Sequence, residues 1–219
     1  MLRIGLTGSI ASGKSAVGEM FVTLGAQLIR ADDIAHELMR PGQPVYDEVV
    51  RRFGREILNA DGSIHRARLA ALAFGNSGGA ARVAELNSIV HPAVIRREDE
   101  WMEEIGRRDP GAIAIVEAAL ILEAGVAERF DRLVVVTCRP EQRVERYAAR
   151  SGLSEEAART EVARRMAAQI ADEEKIKAAD FVIDNSGSLD ATGDQVRSVF
   201  AKLRLEQLAE KVGGRDLGG

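Results

Sequence analysis

The sequence contains 219 residues, 46% of them hydrophobic and 29% charged, which is typical of a soluble globular domain with one elaboration. Its net charge of −4 and the lack of a long apolar run argue against nucleic acid and membranes as partners. Cys138 is the only cysteine, so an intrachain disulfide is excluded, and we expect the protein in the reducing cytoplasm.

Short apolar runs predict five strands, with helical patterns between them. The runs are Leu2–Thr7, Ala26–Ile29, Ala112–Glu117, Arg132–Thr137 and Phe181–Asp184. Near-continuous apolar runs of this length are typical of a parallel sheet that is covered on both faces. We therefore predict one α/β domain over residues 1–219, with a five-stranded parallel sheet flanked by helices. Such sheets bind ligands at the carboxyl ends of their strands.

Two long segments between the predicted strands indicate insertions. Residues 41–109, between strands two and three, predict several helices, and we interpret them as a helical substrate-binding lobe. The predicted helices are Val45–Phe53, Arg66–Phe74, Ala80–Val90 and Ala93–Ile105, with His91 and Pro92 between the last two. Residues 141–179, between strands four and five, are rich in arginine and glutamate and predict a pair of amphipathic helices.

The most informative motif follows the first predicted strand. Gly8–Ser15 reads G-x-x-x-x-G-K-S, with a helical run after it. A strand, a glycine-bearing turn and a helix start point backbone N–H groups at a polyphosphate. In such a loop Lys14 neutralises the β- and γ-phosphoryl oxygens and the Ser15 hydroxyl reaches Mg²⁺. The predicted nucleotide-binding residues are Gly8, Ser9, Ile10, Ala11, Ser12, Gly13, Lys14, Ser15 and Ala16.

Two carboxylates, Asp32 and Asp33, follow the second predicted strand. A carboxylate near the γ-phosphate would accept the proton of an attacking hydroxyl and help to hold Mg²⁺. We assign this role to Asp32 and expect Asp33 to cap a helix over Ile34–Met39 or to be solvated. The loop alone does not separate kinases from GTPases or motors. However, Asn185 is followed by Ser186–Gly187, so the base-reading N-K-x-D string of GTPases is absent there.

Taken together, the motifs resemble one family, the dephospho-CoA kinases, over almost the whole chain. The segments that carry the resemblance are Gly5–Ser15, Ala31–His36, Pro41–Gly42, Asp61–Leu69, His91–Pro92, Leu120–Glu123, Arg165–Gln169 and Ile183–Gly187. The resemblance implies transfer of the ATP γ-phosphate to the ribose 3′-hydroxyl of 3′-dephospho-CoA, with Mg²⁺ as cofactor. It also implies a phosphate-loop kinase fold, with the acceptor lobe at 41–109 and a helical lid at 141–179.

The same resemblance implies roles for individual residues. The implied catalytic residues are Asp32, Lys14 and two lid arginines, Arg146 and Arg150, with Arg143 ranking behind them. The implied acceptor contacts are Asp32, Arg66, His91 and Leu120, and the implied adenine contacts are Asn185 and Gly187. Glu117 and Glu123, which flank the end of strand three, are candidates for contact with substrate or a metal-bound water, or for helix capping.

Several positions depart from the family pattern. Arg30 stands where the first aspartate of a D-A-D segment is usual, Ala119 replaces a proline, and His65 replaces a common aspartate. Because a guanidinium does not act as a base, Asp32 is the sole candidate for that role. Two alternatives stay open: a kinase for another nucleotide, nucleoside or sugar acceptor, and a homologue that binds ATP without transferring phosphate. We expect a monomer or a weak homo-oligomer.

Overall fold

In a computed structural model that describes residues 1–74 and 79–213, five strands form a single sheet. They are β1 (Leu2–Thr7), β2 (Gln27–Arg30), β3 (Ile113–Glu117), β4 (Arg132–Thr137) and β5 (Phe181–Asp184). Their order is β2-β3-β1-β4-β5, and β1 pairs in parallel with both β3 and β4, as β4 does with β5. The predicted five-stranded sheet is confirmed.

Strand β2 begins one residue later than predicted, at Gln27, because the end of the preceding helix uses the amide of Ala26. Gly25, at φ 102°, donates its N–H to the Val22 carbonyl, and Ala26 donates its N–H to the Phe21 carbonyl. This pair of bonds is the usual way in which a glycine terminates a helix. The strand starts after it.

Helices connect the strands over the same described ranges. They are α1 (Lys14–Thr23), α2 (Ala31–Leu38), α3 (Pro44–Phe53), α4 (Arg66–Phe74), α5 (Gly79–Arg108), α6 (Pro140–Ser151), α7 (Glu155–Ala167), α8 (Asp172–Ala178) and α9 (Leu189–Gly213). Residues 141–179 therefore contain three helices, where a pair was predicted. Within the described ranges, we find no helix that combines the length and the apolar character required to cross a bilayer.

The chain divides into two compact units. The first contains Met1–Ile29 and the described residues from Met102 onward, and the second is Arg30–Trp101. The core of the first unit joins the strands to α1 and α9. Its buried side chains include Leu2, Ile4, Leu6, Val17, Phe21, Ile113, Ile115, Val134, Val136, Ile183, Val196 and Leu203. Burial of both faces of the sheet holds the carboxyl ends of β1, β3, β4 and β5 in fixed positions.

The predicted break between helices at His91 and Pro92 is wrong, because α5 runs through both residues. A proline inside a helix removes one hydrogen bond and costs about 3 kcal/mol. Val90, Ala93 and Val94 flank the proline and are each at most 8% exposed. Their spacing continues one apolar face across Pro92, and burial of that face offsets the cost.

The helix after β2 begins earlier than predicted. Arg30 is the N-cap residue of α2, so Asp32 and Asp33 lie within its first turn and Asp33 does not cap it. Both carboxylates are exposed, and Asp33 Oδ2 lies 4.0 Å from Arg30 Nη1. Negative charge in the first turn complements the unpaired N–H groups of the helix, which explains why α2 extends back over both residues.

Candidate active site

The two motif glycines of the phosphate loop have no room for a side chain. Gly8 and Gly13 have φ values of 151° and 97°, and Gly13 is the N-cap residue of α1. A Cβ on Gly8 would lie 2.3 Å from the Val136 carbonyl oxygen, and one on Gly13 would lie 2.0 Å from Asn185 Nδ2. Val136 of β4 and Asn185, the residue after β5, therefore enforce glycine at these two positions.

We expect Gly13→Ala to destabilise the protein more than the matched change Gly25→Ala. Both glycines have positive φ, 97° and 102°, so both substitutions carry a backbone penalty of about 1–2 kcal/mol. Only Gly13 adds a clash, because a Cβ on Gly25 meets nothing within 4 Å. Urea unfolding should show a further loss of about 1–3 kcal/mol for Gly13→Ala. Equal losses for the two variants would contradict the packing described here.

Ala11 adopts the left-handed conformation without being glycine. Its φ is 55°, and no other non-glycine residue in the described ranges has a positive φ. The conformation costs about 1–2 kcal/mol for a residue with a Cβ. Such strain is typical of backbone that is shaped for a ligand.

Lys14 and Ser15 begin α1 and carry the ammonium and the hydroxyl of the motif. Lys14 Nζ donates to the carbonyl oxygens of Gly8 at 2.8 Å and Ser9 at 3.3 Å, so it stays folded over the loop. Ser15 Oγ donates to Glu117 Oε1 at 2.7 Å. Glu117 is the last residue of β3 and is 8% exposed. Through this bond Glu117 supports the loop.

The Ser15 hydroxyl and the Glu117 carboxylate are hard oxygen ligands, the class that Mg²⁺ prefers. Across the described parts of the chain, no three or more His, Cys, Asp or Glu side chains form a cluster that would hold a metal ion by themselves. Mg²⁺ at phosphoryl-transfer sites is held by one or two protein groups together with phosphates and water. The Ser15–Glu117 pair fits that kind of site.

Asn185, the residue after β5, and Arg146 of α6 hold the phosphate loop. Asn185 is 4% exposed, its Nδ2 donates to the Ser12 carbonyl at 2.9 Å, and its Oδ1 accepts from Thr192 Oγ1 at 3.0 Å. Arg146 donates to the carbonyl oxygens of Ser12 at 3.3 Å and Asn185 at 2.9 Å. The side-chain amide of Asn185 uses both its nitrogen and its oxygen in hydrogen bonds within the protein. This geometry favours a role for Asn185 in positioning the loop.

Helices α6 and α7, the first residue of α8 and the segment before it contact the loop. Ile10 is buried in a cluster with side chains of α6 and α7: Val144, Tyr147, Ala158 and Val162. The Ile10 N–H donates to Gln169 Oε1 at 3.3 Å, and Ser9 Oγ donates to Asp172 Oδ1. Gln169 and Asp172 were not predicted as loop contacts.

Comparison with known proteins decides the family. A sequence model described as dephospho-CoA kinase matches residues 2–191 of this chain. A dephospho-CoA kinase from Syntrophotalea carbinolica is 42% identical over 210 residues, which are 93% of this chain and 92% of that protein. The chain belongs to the dephospho-CoA kinase family. The predicted family, its kinase class and the α/β fold are thereby confirmed.

Solved structures agree with membership in the dephospho-CoA kinase family. A Thermus thermophilus protein is 34% identical with a TM-score of 0.72, over 92% of this chain and 97% of its own. A dephospho-CoA kinase from Campylobacter jejuni is 26% identical with a TM-score of 0.66, over 93% of this chain and 98% of its own. The fold of the chain is that of these proteins.

The lid arginines suggested by the dephospho-CoA kinase resemblance have different surroundings. Arg143 is 3% exposed, pairs with Asp172 and donates to the Cys138 carbonyl at 3.2 Å, so it is a structural group. Arg150 is exposed and stacks on Tyr147, with 5.5 Å between the guanidinium carbon and the ring centroid. Of the three, Arg146 is the one that contacts the phosphate loop.

A buried charge network fixes the segment that carries Gln169 and Asp172. Burial raises the pKa of Asp172, but hydrogen bonds from Ser9 and Arg143 outweigh it and hold this pKa below its usual value. Lys175 is fully buried, and its Nζ lies 2.8 Å from Glu123 Oε1. That same carboxylate oxygen accepts the Ile170 N–H at 3.0 Å, so Glu123 anchors the start of α8.

Three of the predicted acceptor contacts lie in the second unit, Arg30–Trp101: Asp32, Arg66 and His91. Asp32 and His36 are one turn apart on α2, which places them on one helix face. Burial lowers the pKa of His36, Arg66 lowers it further, and Asp32 and Asp33 raise it, so these groups share one electrostatic environment. His91, half-buried inside α5, has a pKa that burial lowers.

The remaining residues predicted to contact ATP or acceptor belong to the first unit, where they lie on loops or in the first turn of a helix. Leu120 is half-buried in the turn after β3, Gly187 is exposed after β5, and Ala16 is exposed in the first turn of α1. Their contacts with ATP or acceptor stay predictions.

Proposed function

We propose that this chain transfers the γ-phosphoryl group of ATP to the ribose 3′-hydroxyl of 3′-dephospho-CoA, the last step in making coenzyme A. The observation that carries the proposal is the match to the dephospho-CoA kinase family over residues 2–191. The phosphate loop supplies the chemistry that such a transfer needs. We further propose that the enzyme works in the cytoplasm as a monomer or weak homo-oligomer.

The nucleotide side of the reaction depends on positioning and charge. The transition state of phosphoryl transfer is loose, so the protein acts by holding the reactants and neutralising charge. The loop amides from Ser9 to Ser15, the positive end of α1 and the Lys14 ammonium would bind the β- and γ-phosphates. Mg²⁺ held by Ser15, with Glu117 behind it, would neutralise the phosphoryl oxygens when bound.

On the acceptor side, we assign the general base to Asp32. It would orient the ribose 3′-hydroxyl and take its proton as the new P–O bond forms. Arg146 and Arg150 would supply lid cations, and this role requires the Arg150 guanidinium to leave the Tyr147 ring. Closure of the lid would exclude water, which competes with the acceptor. The other proposed contacts are Arg66, His91 and Leu120 with acceptor, and the backbone of Asn185 and Gly187 with ATP, since the Asn185 side-chain amide is bonded within the protein.

A comparison of acceptors tests the proposal. ADP release is measured at fixed Mg-ATP with 3′-dephospho-CoA, adenosine, shikimate and gluconate. We expect turnover well above background hydrolysis with 3′-dephospho-CoA alone. Faster turnover with adenosine, shikimate or gluconate would contradict the assignment of 3′-dephospho-CoA as the acceptor. ATP binding without turnover on any acceptor would contradict the kinase activity itself.

A further inference from the structure

We propose that Asp172 is a positioning residue, which holds the phosphate loop in shape for ATP through the hydroxyl of Ser9, an inference that rests on the proposed function. Asp172 is the first residue of α8 and lies 163 positions from Ser9 in the sequence. Its carboxylate accepts a hydrogen bond from Ser9 Oγ and pairs with the guanidinium of Arg143 on α6. One side chain therefore connects the loop to α6 and α8.

The position of Ser9 matters because its carbonyl oxygen organises the rest of the loop. That oxygen accepts the Ser12 N–H at 3.2 Å and a hydrogen bond from Lys14 Nζ at 3.3 Å. Ser9 is 1% exposed, so protein atoms enclose it. A shift of Ser9 would displace both the turn of the loop and the ammonium that is proposed to bind the phosphates. Precise placement of such groups is what phosphoryl transfer depends on.

The loop also contains strain that an anchor has to oppose. Ala11, two residues after Ser9, has a φ of 55°, and backbone of this kind persists only where the surrounding structure holds it. The segment that ends at Asp172 bonds both residues that precede Ala11. Asp172 accepts from Ser9 Oγ, and Gln169 Oε1 accepts the Ile10 N–H at 3.3 Å. Without the Ser9 bond, we expect the loop to relax, so that ATP has to restore its shape on binding.

Asp172 is suited to be the anchor because it is held independently of the loop. Burial raises its pKa, but hydrogen bonds from Ser9 and Arg143 keep the pKa of Asp172 below its usual value, so the carboxylate is ionised at neutral pH. The Arg143 side chain is only 4% exposed, and breaking such a buried pair is costly. One turn later on α8, the buried ammonium of Lys175 lies 2.8 Å from Glu123 Oε1 and fixes the helix itself.

Removal of either partner should weaken ATP binding without slowing the chemical step. Ser9→Ala and Asp172→Ala should each raise the KM for ATP about 10- to 100-fold, the range for a lost hydrogen bond to a charged group. At saturating ATP the bound phosphates restore the loop, so kcat and the KM for 3′-dephospho-CoA should stay within about threefold of wild type. A merely structural role would instead lower the fraction of folded enzyme, which reduces kcat and leaves the KM for ATP unchanged.

Three further variants test whether the two residues act through one bond. In the double variant Ser9→Ala with Asp172→Ala, the KM for ATP should rise no further than in Asp172→Ala, since one bond is lost only once. Asp172→Asn keeps a side-chain oxygen that accepts from Ser9 Oγ, so it should recover part of the affinity for ATP. Glu173→Ala is the matched control, because it removes an exposed carboxylate from the same turn of α8 and should leave the KM for ATP unchanged.

Direct binding of Mg-ATP separates this inference from the proposed function. Ser9→Ala is the decisive variant, because it removes the bond and leaves every charge in place, including the buried pair of Arg143 and Asp172. Calorimetry without acceptor should show the weaker binding of Mg-ATP by Ser9→Ala, and that result supports the anchor even where the wild type does not phosphorylate 3′-dephospho-CoA. An unchanged affinity for Mg-ATP in Ser9→Ala, or losses that add in the double variant, would overturn the inference.

Discussion

Lys14→Ala is expected to lower kcat by about 10²–10³-fold or more, the loss assigned to one missing electrostatic donor. The ammonium of Lys14 is held over the phosphate loop by the carbonyl oxygens of Gly8 and Ser9. From there it would neutralise charge that moves onto the transferred phosphoryl group. Initial rates at saturating Mg-ATP and 3′-dephospho-CoA measure the effect.

Lys177→Ala is the matched control for Lys14→Ala. The Lys177 side chain is 71% exposed and pairs with the solvent-exposed Glu174 on the same helix, with 2.7 Å between Nζ and Oε1. Such surface pairs contribute at most about 1 kcal/mol to stability, so kcat should be unchanged. A Lys14→Ala rate within a few-fold of wild type would contradict the role given to this residue.

Asp32→Asn is expected to lower kcat by about 10²–10⁴-fold, because an amide keeps the shape of the side chain but does not accept a proton. The KM for ATP should change little, since the phosphate loop remains intact. Initial rates at saturating Mg-ATP and 3′-dephospho-CoA measure the loss.

The neighbouring carboxylate provides the control. Asp33 lies in the same first turn of α2, is exposed like Asp32, and sits 4.0 Å from Arg30. Asp33→Asn should therefore retain near wild-type kcat. If the two variants lose activity equally, the base is not Asp32 alone and the effect comes from the charge of the helix end.

The strands of the sheet were predictable because each buried strand is a short run of consecutive apolar residues in the sequence. β1, β4 and β5 have the predicted bounds, since each is an apolar run between polar or turn residues. The α5 helix was not predictable by the same local rules. Proline normally marks a helix boundary, and the burial of Val90, Ala93 and Val94 that outweighs it is a tertiary effect.

The candidate site was predictable as a motif and unpredictable as a set of contacts. The spacing Gly8–Ser15 predicts the loop, because its chemistry depends on neighbouring residues. The bond from Ser15 to Glu117 spans 102 positions and depends on β3 lying beside β1. The bond from Ser9 to Asp172 spans 163 positions, and a charge-rich helical segment gives no local sign of it.

The central claim is tested most directly by the identity of the product. Purified protein is incubated with Mg-ATP and 3′-dephospho-CoA, and the acceptor is analysed by mass spectrometry and phosphorus NMR. We predict a product one phosphoryl group heavier, with the new phosphorus coupled to the ribose H3′ proton. An acceptor of unchanged mass, or a phosphoryl group on any other oxygen, would contradict the account.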